Sequence, residues 1–357
     1  MYRSVWFKMP INELRKDYLL DRWVVIAPQR RRRPSDFTEH LKERKEKATC
    51  PFCPGNEHLT PPASLVYLME NGELKKDSDK NGLRHKGWIV RCIPNLYPAF
   101  MPPNPDNTSN PKFNNIYVSR EALGYHEVLI ESPNHDEHPS TARITQLIYV
   151  INALRDRFSF LITRDYVKYV SIFRNHGASA GASLSHAHTQ IIATPIVPKI
   201  LGEEDVVSKR YYEENGRCIF CDVIGMEIKS KRFIWGNDGF VILAPWASIN
   251  PFEFWIFPKR HQSSILELTE DEVKWLAEAL RISFGGLKNL LNDPPYNFGF
   301  HIMLNPYYHW HIEVYPRLSV WAGFEKSAGM YINTMPPEEA AENLREIFKM
   351  EENQIKI

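Results

Sequence analysis

Residues 175–195 read NHGASAGASLSHAHTQIIATP, and the fold turns on how this stretch is understood. Two glycines among small side chains lead into HAHTQ, which sets His186, His188 and Gln190 at alternate positions. The apolar and β-branched residues that follow predict a strand beginning at the HAHTQ element. In a strand, side chains at i, i+2 and i+4 share one face, spaced by about 6.5–7 Å. His186, His188 and Gln190 therefore line one face, while Ala187 and Thr189 point the other way.

The same pattern recurs downstream. The first segment opens with CPFC (Cys50–Cys53) and continues through strand patterns in GWIVRCIPN and YHEVLIES. A helical pattern at about Thr141–Leu161 follows, then the strands DYVKYVSIFRN and HAHTQIIATP. The second opens with CIFC (Cys218–Cys221), continues through GFVILAPWA and PFEFWIFPKRH, and has a helical pattern from about Thr269 to Leu290. It closes with the strands NFGFHIML and HWHIEVYPR. Both orders read C-x-x-C, strand, strand, helix, strand, strand with H-x-H. This is an internal duplication with a period of about 125–170 residues, far longer than a solenoid repeat. Directly consecutive strands with one helix per unit predict an α+β fold of antiparallel sheets with helices on one face. The polar stretch from Glu70 to Lys86 reads as a surface loop, as does MPPNPDNTSNPKFN by its Pro and Asn content.

Composition narrows the class. The 357 residues suffice for two domains or one duplicated unit, and the apolar and charged fractions, 43% and 24%, are those of a globular protein. A formal net charge of +1 argues against a nucleic-acid or membrane-surface binder. No apolar run is long enough to span a bilayer. The first residues lack a signal-peptide pattern, so a cytoplasmic location is expected.

Five cysteines are present: two C-x-x-C pairs and Cys92, which lies in a strand pattern and reads as core packing. An odd count with close pairs argues against a disulfide scaffold and for metal. The duplication supplies matching histidines. Cys50 and Cys53 are joined by His135 and His186, and Cys218 and Cys221 by His261 and His309. Each set is Cys₂His₂, the donor set of closed tetrahedral zinc sites, so two zinc ions per chain are expected.

With His186 taken by metal, His188 is free to act as a nucleophile, and an imidazole attacking phosphorus splits one displacement into two. The small-residue loop before it lets backbone N–H groups approach a phosphate. Gln190 can donate a hydrogen bond but not a proton, so the leaving group must depart unaided. A phosphate or sugar phosphate, whose second pKa is about 6, can do so. Glutamine at this position therefore points to transfer between phosphorylated partners rather than hydrolysis.

The H-x-H-x-Q element, CPFC, SPNH (Ser132–His135) and GFE (Gly323–Glu325) together resemble the galactose-1-phosphate uridylyltransferase family, the transferase branch of the histidine-triad superfamily. The resemblance runs from about Leu14 to Ile347. It implies two tandem histidine-triad-like halves, residues 1–196 with the catalytic element and 197–357 with the second metal set. It further implies a ping-pong reaction through a uridylyl-His188 intermediate, with UDP-glucose and galactose 1-phosphate as substrates, and a homodimer. Asn175, Ser183 and Gln190 match phosphate contacts of the family. Arg30 and Arg33 match phosphate-binding arginines contributed across the dimer, Asn95 matches a nucleotide contact, and Phe324 and Glu325 match positions near the sugar. Where many members read H-P-H-G-Q, Ala187 and Thr189 replace proline and glycine, both on the far face. Leu96 replaces an aspartate near the nucleotide. Glu313 stands in place of one histidine of a second Glu/His metal site, of which His301, His311 and Glu204 read as remnants. The second C-x-x-C and GFEKSAGMYIN also look like the ADP-glucose phosphorylase subgroup, in which the same histidine would carry an adenylyl group to inorganic phosphate. A zinc-stabilised, non-catalytic nucleotide-binding module is the alternative of another class.

Overall fold

Strand-forming runs rich in Val, Ile, Phe and Trp pair antiparallel here, some with the next strand in sequence and as many across an intervening element, which builds one wide sheet. The computed structural model describes residues 12–26, 50–80, 82–103, 112–114, 117–119 and 121–355. In the first half, β3 (Leu65–Glu70), β4 (Glu73–Asp77), β5 (Trp88–Pro94) and β8 (Tyr125–Ile130) precede α1 (Ile144–Ile162), β9 (Tyr169–His176) and β10 (His188–Thr194). After α2 (Lys199–Asn215) and α3 (Ile219–Glu227), the second half repeats the scheme. It runs through β11 (Phe233–Gly236), β12 (Phe240–Leu243), β13 (Phe254–Pro258), α4 (Glu270–Leu291), β14 (Tyr296–His301) and β15 (His311–Pro316).

Among the described residues the sheet has eleven strands in the order β11-β12-β13-β15-β14-β9-β10-β8-β5-β3-β4. Read outward from the β14–β9 junction, both sides show the same pairing: β9-β10-β8-β5-β3 against β14-β15-β13-β12-β11. This is an α+β arrangement of two histidine-triad-like units. The junction is itself an antiparallel pair, with Asn297 opposite Asn175, so the halves share backbone hydrogen bonds. A small sheet of β1 (Glu13–Lys16), β2 (Trp23–Ile26) and β16 (Tyr331–Asn333) ties the chain's start to its end, with β2 and β16 parallel. Between β15 and β16 lies α5 (Gly323–Ala328), and α6 (Pro337–Ile355) packs Phe348 against Phe254.

The main core lies between the sheet and α1, α4 and α6. It buries Tyr67, Leu129, Ile172 and Ile191 from the first half and Ile242, Phe254, Ile256 and Ile312 from the second. The expectation of helices on one face alone is corrected here. On the opposite face α3 packs Phe220, Val223 and Ile224 onto Val241, Leu243, Trp255 and Phe257. These second-half strands are apolar on both faces, so a single helical layer would leave one face wet. The same face in the first half has its own cluster, Phe52, Val66, Leu68, Ile93, Val128 and Ile130.

Two loop readings are also corrected. Within Glu70–Lys86, β4 pairs with β3 around Asn71-Gly72, both with positive φ (53° and 86°), the turn that matches strand twist. Its exposed polar face concealed it, because an edge strand buries too little to alternate. Within MPPNPDNTSNPKFN, β6 (Lys112–Asn114) pairs with β7 (Tyr117–Ser119), while 104–111 lie outside the described residues.

The catalytic-strand candidate is anchored from beneath by charge. Thr189, on the far face of β10, donates to Glu131 at 2.7 Å, and Glu131 is ion-paired with Arg174. Glu131, Arg174 and Thr189 are all buried. Removing one partner of a buried ion pair leaves the other uncompensated, at a cost of about 3–5 kcal/mol. Arg174→Met is therefore expected to lower unfolding free energy by about that amount in a denaturant titration, and an unchanged midpoint would count against this anchor.

Candidate active site and metal centres

The histidines of HAHTQ part company at the strand's edge. The regular strand begins at His188, and His186 lies one bend earlier, a correction to the expectation that both sit within it. The Glu131 N–H still donates to the Ala187 carbonyl at 3.1 Å, so pairing with the strand continues up to the bend. The two rings consequently meet different surroundings.

His186 turns to the first cysteine pair. Its Nδ1 lies 3.6 Å from both Cys50 Sγ and Cys53 Sγ, and His135 Nδ1 lies 3.3 Å from Cys53 Sγ. The outer nitrogens are held too: His186 Nε2 donates to the Ser132 carbonyl at 2.8 Å, and His135 Nε2 meets Ser185 Oγ at 3.1 Å. In the second half, Cys221 Sγ lies 3.4 Å from His261 Nδ1 and 3.5 Å from His309 Nδ1. There His261 Nε2 donates to the Pro306 carbonyl and His309 Nε2 to the Pro258 carbonyl, at 2.9 and 2.8 Å. All four donor atoms of each set lie within 4.8 Å of one another.

These sets fit a tetrahedral metal. Bond lengths of about 2.0–2.3 Å to N and S give ligand–ligand edges of about 3.4–3.8 Å, close to the spacings present. The outer nitrogens bonded to oxygen acceptors are the usual support that fixes tautomer and ring orientation at such sites. The Cys218 thiol is held well below its usual pKa by donation from Cys221, with His261 and His309 adding to the effect, which favours the thiolate a soft metal takes. Cys92 is fully buried and donates to Glu127, away from both sets.

His188 lies, buried, on the face of the sheet away from α1, α4 and α6, beside an exposed loop. Its Nδ1 donates to the His186 carbonyl at 2.8 Å, which leaves Nε2 with its lone pair free. Phe52, between the two cysteines, packs edge-on to the ring with centroids 5.4 Å apart. Burial lowers the pKa of His188, with Arg174 acting in the same direction, so the neutral ring is favoured. Gln190 follows on the same face, half-buried. Gly177 and Gly181, with φ of 81° and 87°, bracket a short 3-10 turn over Ala178–Ala180 in the preceding loop. At Gly177 a Cβ would also lie 2.8 Å from Pro295, so only glycine fits.

Of the other sequence-derived residues, Asn175 lies on β9 beside β10, and its Oδ1 accepts from Asn297 at 2.8 Å. Ser183 is exposed in the loop before β10. Asn95 follows β5, with its Nδ2 3.1 Å from His126 Nε2. His126 in turn contacts Gln190 at 2.9 Å. Phe324 and Glu325 are not brought to His188 by any described contact. Phe324 is exposed on α5, and Glu325 caps that helix by accepting from Ala322 N–H. Arg30 and Arg33 lie outside the described residues. Sequence reading missed Phe52, His126 and Asn297. The signal for His126 was present, because it alternates with Val128 and Ile130 toward the face that carries His188.

The duplication also has a closed counterpart of this site. By register, His311 corresponds to His188, Glu313 to Gln190 and His301 to Asn175. Glu204 reaches in from α2, bonding His301 at 3.0 Å and accepting from Tyr308 at 2.6 Å. All four acidic and histidine side chains are buried, and their ligand atoms lie within 4.8 Å of one another. Burial opposes a charged His301, but Glu204 and Glu313 outweigh it and raise its pKa to about 9. The residues read as remnants of a Glu/His site thus form a compact third group beside the Cys₂His₂ set, and the two coexist.

The fold and this arrangement define a duplicated histidine-triad protein with one open histidine site and one closed one. Comparison with known proteins narrows this further. Residues 134–357 match the family model DUF4921, described as a domain of unknown function. The chain is 35% identical over 345 residues to ADP-glucose phosphorylase of Arabidopsis thaliana, covering 94% of this chain and 93% of the relative. It is 28% identical over 349 residues to galactose-1-phosphate uridylyltransferase of Thermotoga maritima, covering 94% and 98%. Among solved structures, the Arabidopsis ADP-glucose phosphorylase with bound ADP-glucose superposes with a TM-score of 0.74 at 32% identity, covering 94% of this chain and 99% of that one. The chain belongs to the galactose-1-phosphate uridylyltransferase family, which includes ADP-glucose phosphorylase, and is a nucleotidyltransferase of that family. Among the described residues no helix is long and apolar enough to cross a membrane.

The donor sets predict two thiolate-bound metal ions per chain. In elemental analysis Cys53→Ala and Cys221→Ala should each lose one equivalent, and full metal content in either variant would count against its site.

Proposed function

We propose that this chain moves a nucleoside monophosphate from a nucleoside diphosphate sugar to a phosphate-bearing acceptor by double displacement through His188. The observation that carries the reading is the bond from His188 Nδ1 to the His186 carbonyl, which leaves Nε2 as the free nucleophile. In the first step Nε2 attacks the α-phosphorus and a P–N bond forms. The bond from that phosphorus to the bridging oxygen breaks, and sugar 1-phosphate leaves with the electron pair. In the second step an acceptor phosphate oxygen attacks the same phosphorus, and the P–N electrons return to the imidazole. Gln190 and Asn175 donate hydrogen bonds to the phosphoryl oxygens, and the small residues of the Gly177–Gly181 turn let the same anion approach the backbone closely. Because Gln190 gives up no proton, the leaving group must be stable as an anion, which suits sugar phosphate and phosphate.

Each Cys₂His₂ set is read as zinc, which when bound supplies a closed tetrahedral anchor rather than a reacting group. A homodimer in which Arg30 and Arg33 reach the partner's site belongs to the same reading.

Two donor–acceptor pairs are compatible with this chemistry. ADP-glucose with inorganic phosphate is favoured by the 35% identity to ADP-glucose phosphorylase and by the solved relative that holds ADP-glucose. UDP-glucose with galactose 1-phosphate is supported by the relatives named galactose-1-phosphate uridylyltransferase, at 27–28% identity over most of the chain. A matrix of both donors, α-³²P-labelled, against both acceptors separates them. The expected result is an acid-labile, base-stable adduct with at least one donor, absent in His188→Gly. Phosphorolysis of ADP-glucose favours the first pair and UDP-galactose formation the second. No adduct from either donor removes the covalent reading.

A further inference from the structure

Hydrogen bonding at the open site contains two short chains that end in main-chain groups. The orientation of a side-chain amide is set by neighbours whose donor or acceptor character is fixed. Main-chain N–H and carbonyl groups are such neighbours.

The first chain starts at the N–H of Ala99, which donates to His126 Nδ1 at 3.1 Å. A nitrogen that accepts carries no proton, so in the neutral ring the proton sits on Nε2. Gln190 Oε1 lies 2.9 Å from that nitrogen and accepts from it. With its carbonyl end held, the amino end of Gln190, its only donor, is directed away from His126. The opposite orientation would put a donor against Nε2–H. Asn95 Nδ2, 3.1 Å from the same nitrogen, meets no lone pair there, and its Oδ1 is engaged by the Tyr97 N–H at 2.9 Å.

The second chain starts at the carbonyl of Ala180, in the small-residue turn, which accepts from Asn297 Nδ2 at 2.8 Å. The other hydrogen of that amino group goes to Asn175 Oδ1, also at 2.8 Å. The amino end of Asn175 is thereby turned toward the loop, 3.8 Å from where a Cβ at Gly181 would stand. Asn297 comes from β14, so the second half of the chain orients a donor of the first half's site.

We propose that His126 and Asn297 are positioning residues that hold the amides of Gln190 and Asn175 with their donor ends toward the transferring phosphoryl group. This rests on the nucleotidyl-transfer reading of His188. Neither residue touches the reacting atoms, and each acts through one amide. The physical gain is preorganisation: a donor already aimed at developing charge spends nothing on reorientation during the reaction.

The first test is a tautomer measurement on the unmutated, metal-loaded protein labelled with ¹⁵N-histidine, with the His126 signal identified by its loss in His126→Gln. The Nε2–H form is expected; the Nδ1–H form overturns the first chain whatever the enzyme's activity. The second test is single-turnover formation of the labelled nucleotidyl enzyme. His126→Leu should slow it by about tenfold to a hundredfold. His126→Gln, which keeps an N–H donor at the position of Nε2, should recover to within about threefold of the parent. Placed in a Gln190→Ala background, His126→Leu should cost nothing further, and Asn297→Leu should likewise cost nothing in Asn175→Ala. Equal losses in both backgrounds, or no recovery in His126→Gln, overturn the proposal and indicate a general structural role. Should His126→Leu fail to fold, the tautomer and His126→Gln still decide. If the unmutated protein forms no adduct, the transfer reading fails, and the tautomer separately reports on the orientation chain.

Discussion

The open site depends on how His186 spends its polar groups. Its ring Nδ1 faces the Cys50 and Cys53 sulfurs, its Nε2 donates to the Ser132 carbonyl, and its own carbonyl accepts from His188 Nδ1. One residue thus ties a metal set, the end of β8 and the nucleophile candidate together. The carbonyl decides which imidazole nitrogen of His188 keeps its lone pair. Burial keeps that ring neutral and outweighs the pull of the same carbonyl toward the charged form. Beneath the strand, the buried Glu131–Arg174 pair and Thr189 hold the far face. The position of His188 is therefore fixed from three directions before any substrate arrives.

Duplication gave the chain two such constellations, and packing made them unequal. Around His188 the neighbours leave Gln190 half-buried and the loop before it exposed. Around His311, helices α2 and α3 close the same face: Phe220 packs against the His311 ring, and Glu204 and Tyr308 fill the space toward His301. A glutamate where the open site has glutamine makes the closed one an ion-paired cluster. Two buried carboxylates near His301 favour its charged form, which compensates charge in a place that water does not reach. The counterpart of the open site is a buried cluster of carboxylates and histidines, and a Cys₂His₂ set stands in the same half.

Much of this was legible from residue order. The repeated C-x-x-C, the strand-end histidines and H-x-H revealed the duplication and both Cys₂His₂ sets, because metal ligation needs particular residue types that are easily seen. Helices α1 and α4 were readable from apolar spacing, to within three residues at each end. The hairpin at Asn71-Gly72 was missed because an exposed edge strand carries no burial alternation. Helices α2 and α3 were missed as well, although their apolar faces cover the second half of the sheet.

The sequence by itself determined which chemistry was available: two sets of soft donors that could hold a metal, a histidine outside them, and a glutamine, which can donate a hydrogen bond but not a proton. These follow from side-chain identity and short spacing, which folding does not alter. Only the tertiary structure decided which imidazole nitrogen is free, which amide ends face the site, and which of the two histidine constellations stays open. Those properties depend on groups far apart in the chain, such as Ala99 against His126, Asn297 against Asn175 and Glu204 against His301. Their hydrogen bonds exist only once the strands have found their register.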